Sequence, residues 1–166
     1  VSVDPKRIII TAGSSGTFVM SFIAAFDEGD RIALAEPGYP AYSNILKALG
    51  LVPVSLAAGE DTRYQPAPEL LDPVAVGLNG LLVASPANPT GTMLSSSSFR
   101  ELIDWCSERK IWFVSDEIYH GITYDRRANT ALAYSDEAIV INSFSKYFSM
   151  TGWRLGWVIV PEVLIR

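Results

Sequence analysis

The chain has 166 residues, 49% of them hydrophobic and 19% charged, with 18 acidic against 13 basic side chains and a net charge of −5. That is about one domain's worth of chain with enough apolar residues for one core, which excludes disorder and fibrous low complexity. The acidic balance argues against a nucleic-acid partner, and no apolar run reaches the roughly 18 residues of a membrane helix. The opening VSVDPKRIII lacks the pattern of a signal peptide. A single cysteine, Cys106, excludes an internal disulfide, and the whole reads as a soluble cytoplasmic domain. Both ends are apolar and lack a polar fringe, so the sequence is expected to be part of a longer polypeptide.

Short apolar runs bounded by turn residues predict buried strands at 7–11, 31–35, 51–54, 80–84, 111–115, 139–142 and 155–160. Helical spacing fills several of the gaps. Residues 15–27 carry Phe18, Phe22, Ile23 and Phe26 as one stripe, and 42–49 repeat it with Ile45, Leu46 and Leu49. Residues 68–76 form a weaker candidate, with Pro73 near the middle. Residues 95–109 form the clearest, with Phe99, Leu102, Ile103 and Cys106 on one face and serines at 95–98 as a choice of N-cap. Strands alternating with helices predict a three-layer α/β/α fold with a mostly parallel sheet. Ligands of such sheets bind beyond the carboxyl ends of the strands.

The segments after those strands carry the chemistry. The first strand runs into Thr-Ala-Gly-Ser-Ser-Gly-Thr at 11–17. Small residues there admit close backbone approach, and a helix N-terminus with free N–H groups takes a phosphate. A plain strand–helix turn is the competing account, and neither a GK(S/T) loop nor GxGxxG is present. After the second strand, Glu36-Pro37-Gly38-Tyr39-Pro40-Ala41-Tyr42 offers two aromatics, to stack on a flat ring or to plug the edge of the core. After the fourth, Ser85-Pro86-Ala87-Asn88-Pro89-Thr90-Gly91 is either a stiff loop that presents Asn88 or a simple turn, and either X-Pro bond is a candidate for cis.

After the fifth strand, Asp116 is expected at a partly buried mouth, where a carboxylate needs a partner or a positive ligand. His120 is the only histidine; with no cysteine or histidine cluster around it, no metal site is expected, and it reads as a solvent-facing loop residue. Arg126-Arg127 reads as a solvated loop. After the sixth strand, Lys146 lies among serines and aromatics in Asn142-Ser143-Phe144-Ser145-Lys146, which suits a desolvated amine nucleophile. Arg154 follows eight residues later, within reach of an anion. Each piece has an ordinary structural account; their convergence on one sheet edge is the signal.

In order, TAGSSG, EPGYPAY, SPANPTG, SDEIYHG and SFSKYFSMTGWRLGW resemble the large domain of class I/II aminotransferases, pyridoxal-phosphate enzymes of fold type I. The resemblance covers nearly the whole chain, and the last motif is the most specific. It implies that 1–166 is the cofactor-binding large domain without the N-terminal segment and the C-terminal small domain. It implies pyridoxal 5'-phosphate bound as a Schiff base to Lys146, with Asp116 at the pyridine nitrogen and Tyr39 stacked on the ring. Asn88 and Tyr119 would contact the phenolic oxygen, and Ser14, Ser15, Ser143 and Arg154 would hold the phosphate. Transamination between an amino acid and a 2-oxo acid by a ping-pong cycle follows, in a homodimer. The same cradle serves β-elimination, cyclopropane-forming (ACC-synthase-like) and decarboxylating relatives, and binding modules of transcription regulators. The arginine that grips the substrate carboxylate in the family's small domain has no match here.

Overall fold

The computed structural model describes residues 1–165; Arg166, the last residue of the apolar C-terminal run, lies outside the described residues. The strands are β1 (Ile8–Thr11), β2 (Arg31–Glu36), β3 (Val52–Ala57), β4 (Leu78–Ala84), β5 (Trp112–Asp116), β6 (Ile139–Ser143) and β7 (Gly156–Ile159). The helices are α1 (Gly13–Ala25), α2 (Pro40–Ala48), α3 (Pro68–Leu71) and α4 (Ser96–Glu108). All seven expected strands form, in one sheet of order β1-β7-β6-β5-β4-β2-β3. β7 runs antiparallel to both β1 and β6, and every other pairing is parallel. The carboxyl ends of β1 through β6 therefore share one edge, and β7 starts there.

The alternation of side chains along each strand splits the core into two layers. Ile32 and Leu34 of β2, Leu82 of β4 and Ile139 and Ile141 of β6 face Phe18 and Phe22 of α1 and Leu46 of α2. Ala33, Leu81, Val83 and Val140 face the other way, onto Phe99, Leu102, Ile103 and Cys106 of α4 and Leu71 of α3. Strands buried on both faces need near-continuous apolar sequence, which β4 and β6 have. This is the expected three-layer α/β/α arrangement.

The departures from expectation are local. α1 starts two residues early, at Gly13, so Ser14 and Ser15 lie in its first turn. Ile23 was expected on the buried stripe but is 64% exposed; it lies 100° around the helix from Phe22, off the stripe. The 68–76 helix is one α turn followed by a 3-10 turn over Asp72–Val74, because Pro73 has no N–H to give. α4 starts as expected, with the Ser95 hydroxyl accepting from the Ser98 N–H at 3.0 Å.

Candidate active site

A cavity of about 180 Å³ opens at the carboxyl edge of the sheet. α1 contributes Ser14 and Ser15, α2 contributes Tyr42 and its N-cap residue, Tyr39, and the loop after β4 contributes Asn88. Asp116 ends β5 and Tyr119 follows it. The segment from β6 to β7 supplies Ser145, Lys146, Thr151 and Arg154. Eight of the nine residues singled out in the sequence thus meet in one space. Ser143 does not reach it: it is buried, its hydroxyl donating to the Leu155 carbonyl at 3.2 Å and lying 2.9 Å from Ser145 Oγ. Ser145, two residues further along, lines the wall in its place.

Asp116 is the floor. Burial pushes its carboxyl up from the ordinary 3.8 to about 6, against the opposing pull of the Tyr42 hydroxyl and of the Ile118 N–H, which donates at 3.0 Å. Tyr42 stays protonated because burial and the Asp116 charge raise its own pKa well above 10.0, so its O–H is the donor. No basic side chain lies within ion-pair distance of Asp116 among the described residues. A buried carboxylate held by two donors and no cation is a seat for a positively charged N–H. Tyr42 also answers the question its sequence left open. It packs against Phe18 at 5.2 Å between ring centroids, plugging the core, while its hydroxyl reaches the site. Tyr39 stands edge-on to it at 5.4 Å, 43% exposed at the rim.

The opposite end of the cavity suits an anion. α1 has no side-chain cap, which leaves the N–H groups of its first turn free beside Ser14 and Ser15. Arg154 lies over that turn: a methyl group on Gly13, whose φ is +76°, would sit 2.6 Å from the guanidinium. Gly156 allows the same approach from below, since a Cβ there would fall 3.0 Å from the Ser14 nitrogen. A flat ring carrying a protonated nitrogen at one end and a phosphate at the other fits this pairing of a cation seat with an anion seat.

Lys146 corrects one expectation. Its side chain is exposed rather than desolvated, because 146–149 turn outward beyond the edge of the sheet; its Nζ lies 5.7 Å from the Tyr119 ring centroid. His120 corrects another. It is turned inward, not to solvent, with Nε2 3.2 Å from the Ser85 carbonyl and Nδ1 3.3 Å from Glu117 Oε2, and desolvation lowers its pKa. The neighbouring Glu117, whose Oε1 accepts from Ala131 N–H, draws that ring in. Arg126 and Arg127 are exposed, as expected. Sequence reasoning missed Ser145 and Thr151. Only the position of Ser145 beside Lys146 hinted at the first.

A three-layer α/β domain with a cavity beyond the carboxyl ends of its parallel strands defines the class of open-sheet α/β proteins that bind small ligands at that edge. The family model described as aminotransferase class I and II matches residues 1–166, and the chain belongs to that family. A valine–pyruvate aminotransferase of Mycobacterium tuberculosis is 48% identical, aligned over 100% of this chain and 43% of its own length. An aspartate aminotransferase of Streptomyces avermitilis is 32% identical over 99% of the chain and 42% of its own length. The crystal structure of an aminotransferase from Mycobacterium tuberculosis superposes with a TM-score of 0.95 at 48% identity, covering 100% of this chain and 46% of that one. The chain thus spans under half the length of the relatives it matches. Among the described residues no helix is long and apolar enough to cross a membrane.

Proposed function

We propose that the chain is the cofactor-binding large domain of a pyridoxal-phosphate aminotransferase, active as a homodimer, that moves an amino group between an amino acid and a 2-oxo acid by a ping-pong cycle. The observation that carries this reading is the buried, cation-free Asp116 at the floor of the cavity that Lys146 and Arg154 also line.

Pyridoxal phosphate supplies an electron sink, drawing charge from the substrate's α-carbon into its ring. Lys146 would hold the cofactor covalently through its amine and, when that amine is free, would move the proton at the substrate's α-carbon. Asp116 keeps the ring nitrogen protonated, and Tyr42 keeps Asp116 oriented. Asn88 and Tyr119 would donate to the phenolic oxygen, and Tyr39 would cover the ring. The α1 N-terminus, with Ser14, Ser15 and Arg154, anchors the phosphate by charge-assisted hydrogen bonds. Ser143 acts on the anchor indirectly, through Ser145. The relative named for valine and pyruvate makes that pair the first substrates to assay.

The test is a visible-absorption titration of the chain with pyridoxal phosphate beside Lys146→Ala. A pH-dependent visible band in the wild type and none in the variant is expected. A wild-type chain that is folded and stays colourless, or a variant that keeps the band, refutes the assignment.

A further inference from the structure

Behind Asn88 and Tyr119 lies a pair of titratable side chains that this chemistry does not use. Glu117 is 2% exposed. Its Oε1 accepts from the Ser115 hydroxyl at 3.0 Å and from the Ala131 N–H at 2.8 Å. Its Oε2 lies 3.3 Å from Nδ1 of His120, whose other nitrogen, Nε2, faces the Ser85 carbonyl at 3.2 Å. Ser85 opens the loop that carries Asn88, and its N–H donates to the Asp116 carbonyl at 3.3 Å. The pair is therefore a strut between the two segments that present Asn88 and Tyr119.

The partners fix the number of protons. A carbonyl oxygen only accepts, so Nε2 carries a hydrogen. Nδ1 and Oε2 approach to 3.3 Å, where two bare lone pairs would repel, so the pair is favoured when it holds a second proton. The pair holds both as a carboxylic acid beside neutral imidazole or as carboxylate beside imidazolium, and its net charge is zero in either form. Burial acts in the same direction: it pushes Glu117 up to about 7, the adjacent Asp116 adds to the rise, and desolvation lowers His120.

We propose that Glu117 and His120 share a proton as a positioning pair that sets the spacing of Asn88 and Tyr119 across the cofactor's phenolic oxygen, an inference that rests on the pyridoxal-phosphate reading. His120 is the residue after Tyr119, and Ser85 lies three before Asn88, so the strut holds both donors through short, stiff segments. Two donors on one phenolate oxygen stabilise its anion, and the nitrogen linked to Lys146 then holds its proton less tightly. Displaced donors do this less well.

The test reads the apparent pKa of the visible band in the pyridoxal-phosphate-loaded wild type, His120→Phe, Glu117→Ala and Glu117→Gln, each checked for folding by circular dichroism. His120→Phe and Glu117→Ala should raise that pKa by about one pH unit. Glu117→Gln should leave it in place, because the amide oxygen still accepts from Ser115 and Ala131 while its NH2 donates to Nδ1. His120→Phe carries the comparison where Glu117→Ala does not fold. Nitrogen-15 NMR of the cofactor-free chain should show Nε2 of His120 protonated from about pH 5 to 8. His120→Phe keeping the wild-type band pKa, a folded Glu117→Ala keeping it, or Glu117→Gln behaving as Glu117→Ala overturns the inference while the functional reading stands. A wild-type chain that forms no band overturns both.

Discussion

Asp116→Asn should make the cofactor-free chain more stable at neutral pH, although it removes the residue on which the proposed chemistry depends most. Folding raises the Asp116 carboxyl from 3.8 to about 6 because burial disfavours its charge. A folded-state pKa above the unfolded one means that the native chain binds the proton more tightly. Wild-type stability is therefore undiminished below about pH 4, falls as pH rises through about 6, and carries the full penalty above that. At 1.36 kcal/mol for each pH unit, the penalty is about 3 kcal/mol, an upper figure for a site that relaxes on ionisation. Asparagine keeps an oxygen for the Ile118 N–H and offers an NH2 to the Tyr42 oxygen, so little is lost in exchange. Urea unfolding of both proteins from pH 4 to 8 checks this. The difference in stability should be near zero at pH 4 and grow to between about 1 and 3 kcal/mol in favour of Asp116→Asn by pH 8. Other carboxylates titrate in both proteins and cancel. A difference that is flat with pH, or a variant that is less stable at pH 8, refutes the assignment of Asp116 as a buried charge awaiting a cation.

Gly13→Ala places a methyl group 2.6 Å from the Arg154 guanidinium at a residue with φ +76°; it should cost about 1–2 kcal/mol of stability and weaken inorganic phosphate binding, read by thermal shift and calorimetry. Tyr42→Phe strips the donor from Asp116, so it should raise the Asp116 pKa further and destabilise the chain by about 1–3 kcal/mol at pH 8 and less at pH 5; carbon-13 NMR titration and urea unfolding measure the two effects. Cys106 is fully buried and its thiol is pushed up to about 12 by burial, so iodoacetamide at pH 8 should label it only in denaturant, as mass spectrometry would show.

The sheet was legible because β4, β5 and β6 are short apolar runs flanked by turn residues, a pattern that only a doubly covered strand satisfies economically. The register and direction of β7 were not: Gly-Trp-Val-Ile reads the same parallel or antiparallel, and only its pairing with both β1 and β6 decides. Pro73 and the serines at 95–98 announced their ends through local chemistry. Ile23 is exposed because it stands 100° around α1 from Phe22, an offset that the presence of an apolar residue in the run does not reveal. At the site, residues on strand ends were found by the topological rule. Tyr42 was hidden because one side chain does two jobs, packing with its ring and donating with its hydroxyl. His120 was misjudged because its partners, Glu117 and the Ser85 carbonyl, lie on two different segments that meet only in the fold. Ser143 and Ser145 exchanged places because β6 ends at Ser143, whose hydroxyl is taken by the Leu155 carbonyl, and the chain turns before Ser145, which spacing alone does not show.

Local rules of stability are broken repeatedly around this one cavity. A carboxylate is buried without a cation, α1 begins without a side-chain cap, and Arg154 adopts a left-handed backbone at φ 53°, as does Ser149 five residues before it. Left-handed residues also occur away from the cavity, at Arg63, Tyr64 and Lys110, and α2 likewise starts without a side-chain cap, so it is the coincidence of a cation-free carboxylate with an uncapped α1 across one cavity that marks this site. Such departures persist when the surrounding structure over-determines them, and they concentrate where a ligand relieves them. In the proposed reading, one molecule with a protonated ring nitrogen and a phosphate would relieve the first two together, supplying the missing cation to Asp116 and the missing acceptor to α1. The left-handed turn at Arg154 sets the guanidinium over Gly13, where it would meet the same phosphate. A ligand carrying only one of these charges leaves the other fault in place, so inorganic phosphate alone should stabilise the chain less than pyridoxal phosphate does, even in Lys146→Ala, where no covalent link forms.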